Sequence, residues 1–524
     1  MTNPSARAGR REWTAFVVLL LPLLLVSMDA SVLFFAVPSI SESLDASATQ
    51  QLWIFDVYAF ALAGLLITMG SLGDRIGRRK LLMFGAAAFG AASVAAAYAQ
   101  SAEMLIAARA VLGIGGATLM PSTMALVRDL FHDATQRTKA IGIWSGAMAG
   151  GIALGSVLGG VMLEHFWWGS VFLINVPAMV LLLVLVPFLV PEHKDPKPGR
   201  FDLLSVPLSM AAVLPVTYGL KEIAAEGFSA ARALCVAAGL LVGWVFVHRQ
   251  RTLRSAMISR ELFRHRAFGA GIALNTLAAF GMMGSVYFTT QYLQSVLGKG
   301  PMEAALWSVA PSLAVGVAAP LSTAIAQKVD KAYVIAAGFV VAALGYAVLT
   351  QAGTDSLWTT LIGAGVIGCG IVTVMALVSD MALSTAPPEK AGTAASLLET
   401  GQEFGGALGM AVFGSVGVAV YRRDVTDSLP ADLPHWALEA ARETLGGAAG
   451  VAAGLPGRAG ESVLAVARDA FTHGMNLAAL GGAVVLALAA VGAVAALRGV
   501  PTAPPGAPER PAETAPEAAV LTRH

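Results

Sequence analysis

The sequence predicts an all-α integral membrane protein with about fourteen spanning helices. Composition is the first reason. The 524 residues are 56% hydrophobic and only 13% charged, with a mean hydropathy of +0.71, which leaves too little polar surface for a dissolved globular domain. Run length is the second, because apolar stretches recur at the ~20 residues that a spanning helix needs. Charge placement is the third: the net charge is only +1, but Lys and Arg gather in alternate connections, as they do in cytoplasmic loops.

The runs fall at 14–38, 51–72, 81–99, 103–127, 139–163, 169–190, 203–220, 230–248, 267–295, 303–327, 332–351, 356–383, 392–420 and 471–497. Residues 1–13 form a basic lead with Arg7, Arg10 and Arg11. The run after it is too long for a signal peptide and lacks a small-residue cleavage site, so it reads as a retained first helix. An even number of spans puts both termini on one side, expected to be the cytoplasm.

The best-marked connection is Gly70-Ser-Leu-Gly-Asp-Arg-Ile-Gly-Arg-Arg-Lys80, where Arg75, Arg78, Arg79 and Lys80 follow one apolar run and precede the next. Its glycines permit a tight reversal between helix ends. Connections on the same side carry Arg128, Arg137 and Lys139, then Lys194, Lys197 and Arg200, then the arginines between 249 and 266, then Lys328, Lys331 and Lys390. Connections on the other side are short and nearly free of Lys and Arg, except the last, 421–470. There Trp436–Leu445 and Ser462–Phe471 carry apolar residues at helical spacing around a Gly/Ala/Pro stretch, which predicts an outer helical hairpin. Residues 498–524 are rich in Pro, Ala and Glu and are expected to be a disordered cytoplasmic tail. Cys235 and Cys369 lie far apart within apolar runs, so neither a disulfide framework nor a metal site is expected.

The turn motif Gly70-x-x-x-Asp74-Arg75-x-Gly77-Arg78-Arg79 resembles the loop between helices 2 and 3 of the major facilitator superfamily. Over nearly the whole chain the resemblance narrows to its fourteen-helix drug–proton antiporters, in the branch exporting quaternary ammonium compounds. Met28-Asp29-Ala-Ser31 running to Pro38 resembles that family's first-helix signature, with Ser31 in place of Thr. Trp53-Ile-Phe-Asp56-Val-Tyr58 resembles its second-helix pattern, and Arg109-x-x-x-Gly113-x-Gly115 its proton-coupling motif. Gly151-x-x-x-Gly155-Ser156-x-x-Gly159-Gly160 resembles the antiporter motif of helix 5, with Ser156 where Pro is usual. Gln291-Tyr-Leu-Gln294 is similar to a further family segment. The resemblance implies two six-helix bundles, 14–190 and 267–497, with 203–248 as an inserted pair. It also implies that the Gly70–Lys80 turn, with Asp74 and Arg75, latches an inner gate.

Charge at hydrocarbon depth costs ~2.5–3.5 kcal/mol or more per group and usually faces a cavity. Asp29, Asp56, Arg109, Glu399 and Glu403 meet that description. Glu399 and Glu403 share one face of a helix, a turn apart, so their charges repel and a dry wall disfavours both. Proton and organic cation would compete for such a pair. Arg109 is expected to partner a carboxylate of helix 1 or helix 2. Around the acids, Trp53, Tyr58, Trp144, Met148, Tyr287 and Phe404 offer aromatic and thioether surface of the kind that attracts quaternary ammonium groups. There is no Walker A pattern to bind ATP and no zinc-protease motif, so neither an enzyme nor a cofactor is expected. The expected partners are protons, small amphipathic cations and the lipid bilayer, not nucleic acid, with the chain as a monomer. The expected function is proton-coupled export of lipophilic cations. A neutral or self-made antibiotic as cargo is the alternative.

Overall fold

The computed structural model describes residues 8–131, 133–192, 204–226, 229–252, 260–264, 266–385, 391–429, 434–455 and 458–498, and the side chains of Asp74 and Met148 lie outside the described set. The first bundle consists of α1 (Arg10–Leu44), α2 (Ala48–Ile76), α3 (Arg78–Ala97), α4 (Ala102–Leu130), α5 (Ala134–His165) and a sixth span in two pieces, α6 (Ser170–Leu173) and α7 (Asn175–Leu189). The inserted pair is α8 (Ser205–Glu226) and α9 (Ala230–Thr252). A short α10 (Arg260–Arg264) leads to α11 (Arg266–Gln291), which runs on through a π-helical turn, Tyr292–Val296. The second bundle continues with α12 (Pro301–Ile325), α13 (Lys331–Leu349), α14 (Leu357–Thr385), α15 (Ala391–Ser428) and, after α16 (His435–Glu443) and α17 (Leu445–Gly454), α18 (Arg458–Leu497). Each of the fourteen expected segments falls on helix. Eleven helical segments among the described residues are long and apolar enough to cross a membrane. We call the end holding Arg75–Lys80 the basic end, and the end holding α16 and α17 the cap end.

The cap corrects one expectation. Ser462–Phe471 is not the second arm of a hairpin but part of α18, which is 40 residues long. The Gly/Ala stretch expected as a spacer contains α17, capped by the Thr444 hydroxyl accepting from Gly447 N–H (2.9 Å). At ~1.5 Å per residue, α15 and α18 both overrun the ~30 Å hydrocarbon layer, and the cap rests on their projecting ends. The Tyr421 hydroxyl donates to the Ala441 carbonyl (2.8 Å) and Arg422 pairs with Glu443 (2.7 Å).

The two bundles repeat one packing plan. α1 lies on α5 as α11 lies on α15, α2 on α4 as α12 on α14, and α3 between α4 and α7 as α13 between α14 and α18. Glycine explains the closest of these contacts. On α5, a Cβ at Gly155 would stand 2.8 Å from the Met28 Cα, and one at Gly151 2.9 Å from the Leu24 carbonyl oxygen. On α15, a Cβ at Gly405 would stand 2.1 Å from the Thr276 carbonyl oxygen of α11, and one at Gly409 2.1 Å from that of Phe280. These stripes let backbones touch where lipid supplies no hydrophobic drive for association. Ser156, in place of Pro, returns a hydrogen bond to the Ile152 carbonyl (3.1 Å), and α5 stays continuous.

Between bundles, α2 meets α15 and α5 meets α12. Gly414 of α15 fits Leu52 of α2, and Gly160 of α5 fits Met302 and Ala305 of α12. The inserted pair flanks the first of these seams, since α8 touches both α2 and α15.

Gly405→Val is expected to cost about 3 kcal/mol or more through overpacking, read as a lowered melting temperature of the purified protein. Gly150→Ala, at a position with nothing within 4 Å, is expected to leave it unchanged.

Candidate functional site

Halfway along the bundle axis, α4 delivers Arg109 into the first bundle's core. The helix can come this close to α2 because Gly113 replaces a side chain that would collide with the Tyr58 backbone at 2.5 Å. The guanidinium is 1% exposed and forms an ion pair with Asp29 of α1, whose side chain is 2% exposed. Its Nε donates to the Ile54 carbonyl of α2 (3.1 Å), and its carbon lies 4.3 Å from the centre of the Tyr58 ring. Two neighbouring helices thus satisfy one cation by ion pairing, hydrogen bonding and ring contact, as a buried charge requires. The Tyr58 hydroxyl is buried without a hydrogen-bond partner.

The second bundle carries two further acids on α15, Glu399 and Glu403. The glycine face of α15 is turned to α11, and residues two positions away point about 200° around the helix. Glu399 and Glu403 therefore stand on nearly the opposite face, on a helix that also packs on α2. Both are half-buried. Glu403 is within electrostatic reach of Glu399 and of Tyr58. Tyr58 so lies between the Asp29–Arg109 pair and a carboxylate of the other bundle. Asp56 is fully buried, within electrostatic reach of Tyr287 on α11.

Toward the cap end an aromatic plug crosses the axis. Phe34 of α1 packs on Phe55 of α2 (4.9 Å between ring centres), and Phe55 meets Tyr287 edge-on (6.0 Å).

At the basic end, the Gly70–Lys80 motif is a clamp within the first bundle. Gly77 has φ +112°, which suits only glycine, and a Cβ there would stand 2.4 Å from the Glu192 carboxylate beyond α7. That carboxylate accepts from the Arg79 N–H (3.2 Å) and lies 3.7 Å from the Arg79 Nε, while the Arg79 guanidinium donates to the Val190 carbonyl (3.1 Å). Arg78 pairs with Asp129 of α4 (3.8 Å). The second bundle repeats the last link, with Lys331 at the start of α13 on Asp380 of α14 (2.7 Å). Gly70 sits 3.7 Å from Pro121, measured from an added Cβ.

A family model for the Major Facilitator Superfamily matches residues 19–410. The chain belongs to the Major Facilitator Superfamily. It is accordingly a transporter rather than an enzyme. Among its relatives, the "Multidrug efflux pump LfrA" of Mycolicibacterium smegmatis is 41% identical over 94% of this chain and 98% of its own. The "Methyl viologen resistance protein SmvA" of Salmonella typhimurium is 32% identical over 92% and 97%. Among solved structures, a bacterial homologue of the human lysosomal transporter Spinster superposes with a TM-score of 0.66 at 19% identity, covering 94% of this chain and 98% of that one. That likeness supports the superfamily fold.

Of the residues singled out from sequence, Asp29, Arg109 and Tyr58 are in contact, and Glu403, a turn from Glu399, is within electrostatic reach of Tyr58. Trp53 does not join them; it stacks on Tyr218 of the inserted α8 (6.3 Å). Trp144 is buried on the face it shares with Gly151 and Gly155, the face α5 turns to α1. Phe404 is half-buried beside Glu403. Sequence reading missed Glu192, the anchor of the clamp, and the Gly401-x-x-x-Gly405-x-x-x-Gly409 stripe. The stripe was visible as a repeat of the helix-5 spacing, whereas nothing local marks Glu192.

Asp29→Asn leaves Arg109 without its counter-charge and is expected to cost about 3–5 kcal/mol. Asp29→Asn combined with Arg109→Met is expected to recover much of that loss, measured by thermal unfolding in detergent.

Proposed function

We propose that this superfamily transporter is a proton-driven exporter of amphipathic organic cations. The observation that carries the reading is that Tyr58 links two acid sets: it packs on Arg109, the partner of Asp29, and is within electrostatic reach of Glu403, a turn from Glu399. The names of the relatives support drug efflux, and methyl viologen, in the name of one of them, is a dication. Basic loops orient toward the cytoplasm, so the basic end faces the cell interior and the cap end faces out.

A carboxylate in a low-dielectric chamber is either protonated or paired with a cation. Cargo entering from the basic end lays its cationic head on Glu399, Glu403 or the Asp29 carboxylate. Protons arriving from outside neutralise these groups and release it. Arg109 is the counter-charge that cargo or a proton at Asp29 must displace, and Tyr58 lines the route between the two acid sets. Alternating access follows from rocking of one bundle against the other. The clamp at Gly77–Arg79 ties α3 to α4 and α7, so the first bundle moves as one body.

Each proton moving inward gains about 2.3 kcal/mol per 100 mV and about 1.4 kcal/mol per pH unit. Exporting a monovalent cation spends the same electrical amount, so a one-for-one exchange runs on the pH gradient alone. A dication needs at least two protons to break even, and hence more than one acid.

In everted membrane vesicles, ethidium and methyl viologen uptake is expected to follow an acid-interior pH gradient and to stop when nigericin collapses it. Uptake indifferent to nigericin would overturn the proton drive. Glu399→Gln and Glu403→Gln are each expected to cut methyl viologen transport more than ethidium transport, by roughly tenfold against roughly twofold, about 1.4 against 0.4 kcal/mol. Equal losses would count against separate proton sites.

A further inference from the structure

At the cap end, α1, α2, α11 and α15 line a narrow, open-mouthed cleft with about 70 Å³ of interior room. None of Asp29, Asp56, Arg109, Glu399 and Glu403 lines it, and Tyr287, which meets Phe55 edge-on, forms part of its wall. Its walls include Phe288, Tyr421 and Phe471, and its roof is the turn between α16 and α17. Phe288 and Phe471 meet edge-on at 6.2 Å between ring centres.

One polar group in this wall lacks a partner. Gln291 is 7% exposed and its amide nitrogen has no hydrogen bond, although its oxygen accepts from Ser295 (3.5 Å). A buried amide N–H₂ left unpaired keeps its desolvation cost uncompensated, so it marks a place for an acceptor. The other glutamine of the wall, Gln51, is satisfied by the Ser41 hydroxyl (2.7 Å) and the Ala46 carbonyl (3.0 Å). Directly after Gln291, α11 widens into its π-helical turn, a feature that gathers at functional sites. The turn is held from behind: the Tyr292 hydroxyl donates to the Gly353 carbonyl and accepts from the Ser356 N–H (2.9 Å).

Charge is nearly absent from the cleft. Its one acid, Glu443, is already bound to Arg422 (2.7 Å). The cleft therefore differs in kind from the two acid sets: it offers aromatic faces and one donor, with no free carboxylate to hold a cation.

We infer that this cleft is a second cargo site, which takes the planar aromatic body of a compound and hydrogen-bonds one carbonyl oxygen through Gln291. It rests on the export reading for its place in the route, since cargo that has left the acids toward the cap end enters it next. A site that grips the ring system but not the charge lets a cation be handed off the acids and then lost to water. It also gives neutral aromatic compounds a binding surface independent of protons.

The test is photolabelling of the full-length protein in lipid nanodiscs with an aryl-azide derivative of rhodamine 6G, which carries an ester carbonyl, followed by peptide mapping. Labelled peptides are expected from two regions, one around Tyr58 and Glu403 and one around 287–296 and Phe471. Gln291→Leu is expected to lower labelling of the second region about fivefold, the loss of roughly one hydrogen bond, while azido-ethidium, which has no carbonyl, keeps its labelling there. Phe471→Ala is expected to lower both probes in that region, and Glu403→Gln neither. Label confined to the Tyr58–Glu403 region, or cap-end label that falls with Glu403→Gln, would overturn the second site while leaving the export reading intact. Absence of label from both regions would overturn the two together.

Discussion

A guanidinium in hydrocarbon must be fully paired, and Arg109 shows how much structure that demand recruits. Asp29, the Ile54 carbonyl and the Tyr58 ring each answer one part of it, and they come from two different helices. Bringing those helices near enough requires Gly113 at the α2–α4 crossing. The pair is therefore a fastener for the first bundle as well as a chemical group. Because buried ion pairs add little net stability compared with apolar packing, its presence at this depth is better explained by work done there than by folding. Losing the pair would disturb the α1–α4 and α2–α4 contacts together.

The second bundle meets the same packing problem and solves it with the same spacing. Gly401, Gly405 and Gly409 press α15 onto α11, as Gly151 and Gly155 press α5 onto α1. What differs is the opposite face: on α15 it carries Glu399 and Glu403, turned to α2. The close helix contact and the acid placement are thus one design, because a helix pinned by its glycine face has no freedom to rotate its carboxylates away. The inserted α8 and α9 flank the α2–α15 seam where these acids lie, with Trp53 held against Tyr218. A residue that looked like cavity lining is spent on that lateral contact.

The two ends of the molecule use charge in contrasting ways. At the basic end, Arg78, Arg79, Asp129 and Glu192 bind α3, α4 and α7 into a rigid unit. At the cap end, Arg422 and Glu443 fasten a short helical roof to α15, and the roof also reaches α1.

Hydropathy and run length alone find segments that all fall on helix among the described residues, because a bilayer imposes one length and one composition on every span. The buried ionisable residues Asp29, Asp56 and Arg109 were equally legible, since charge at such depth is conspicuous in an apolar run. Partner choice was not. Nothing in the sequence separates Asp29 from Asp56 as the mate of Arg109, because both lie at a suitable depth and only the rotation of α1 and α2 decides between them. Trp53 and Trp144 look as suitable for the chamber as Tyr58, yet a helix has a circumference, and which arc faces the axis is set by the glycine contacts of its neighbours. Glu192 carried no local mark because its role depends on α7 ending beside the start of α3, more than a hundred residues earlier in the chain. One-dimensional constraints of depth and length were therefore written in the sequence, and facing and pairing were decided only when the helices packed.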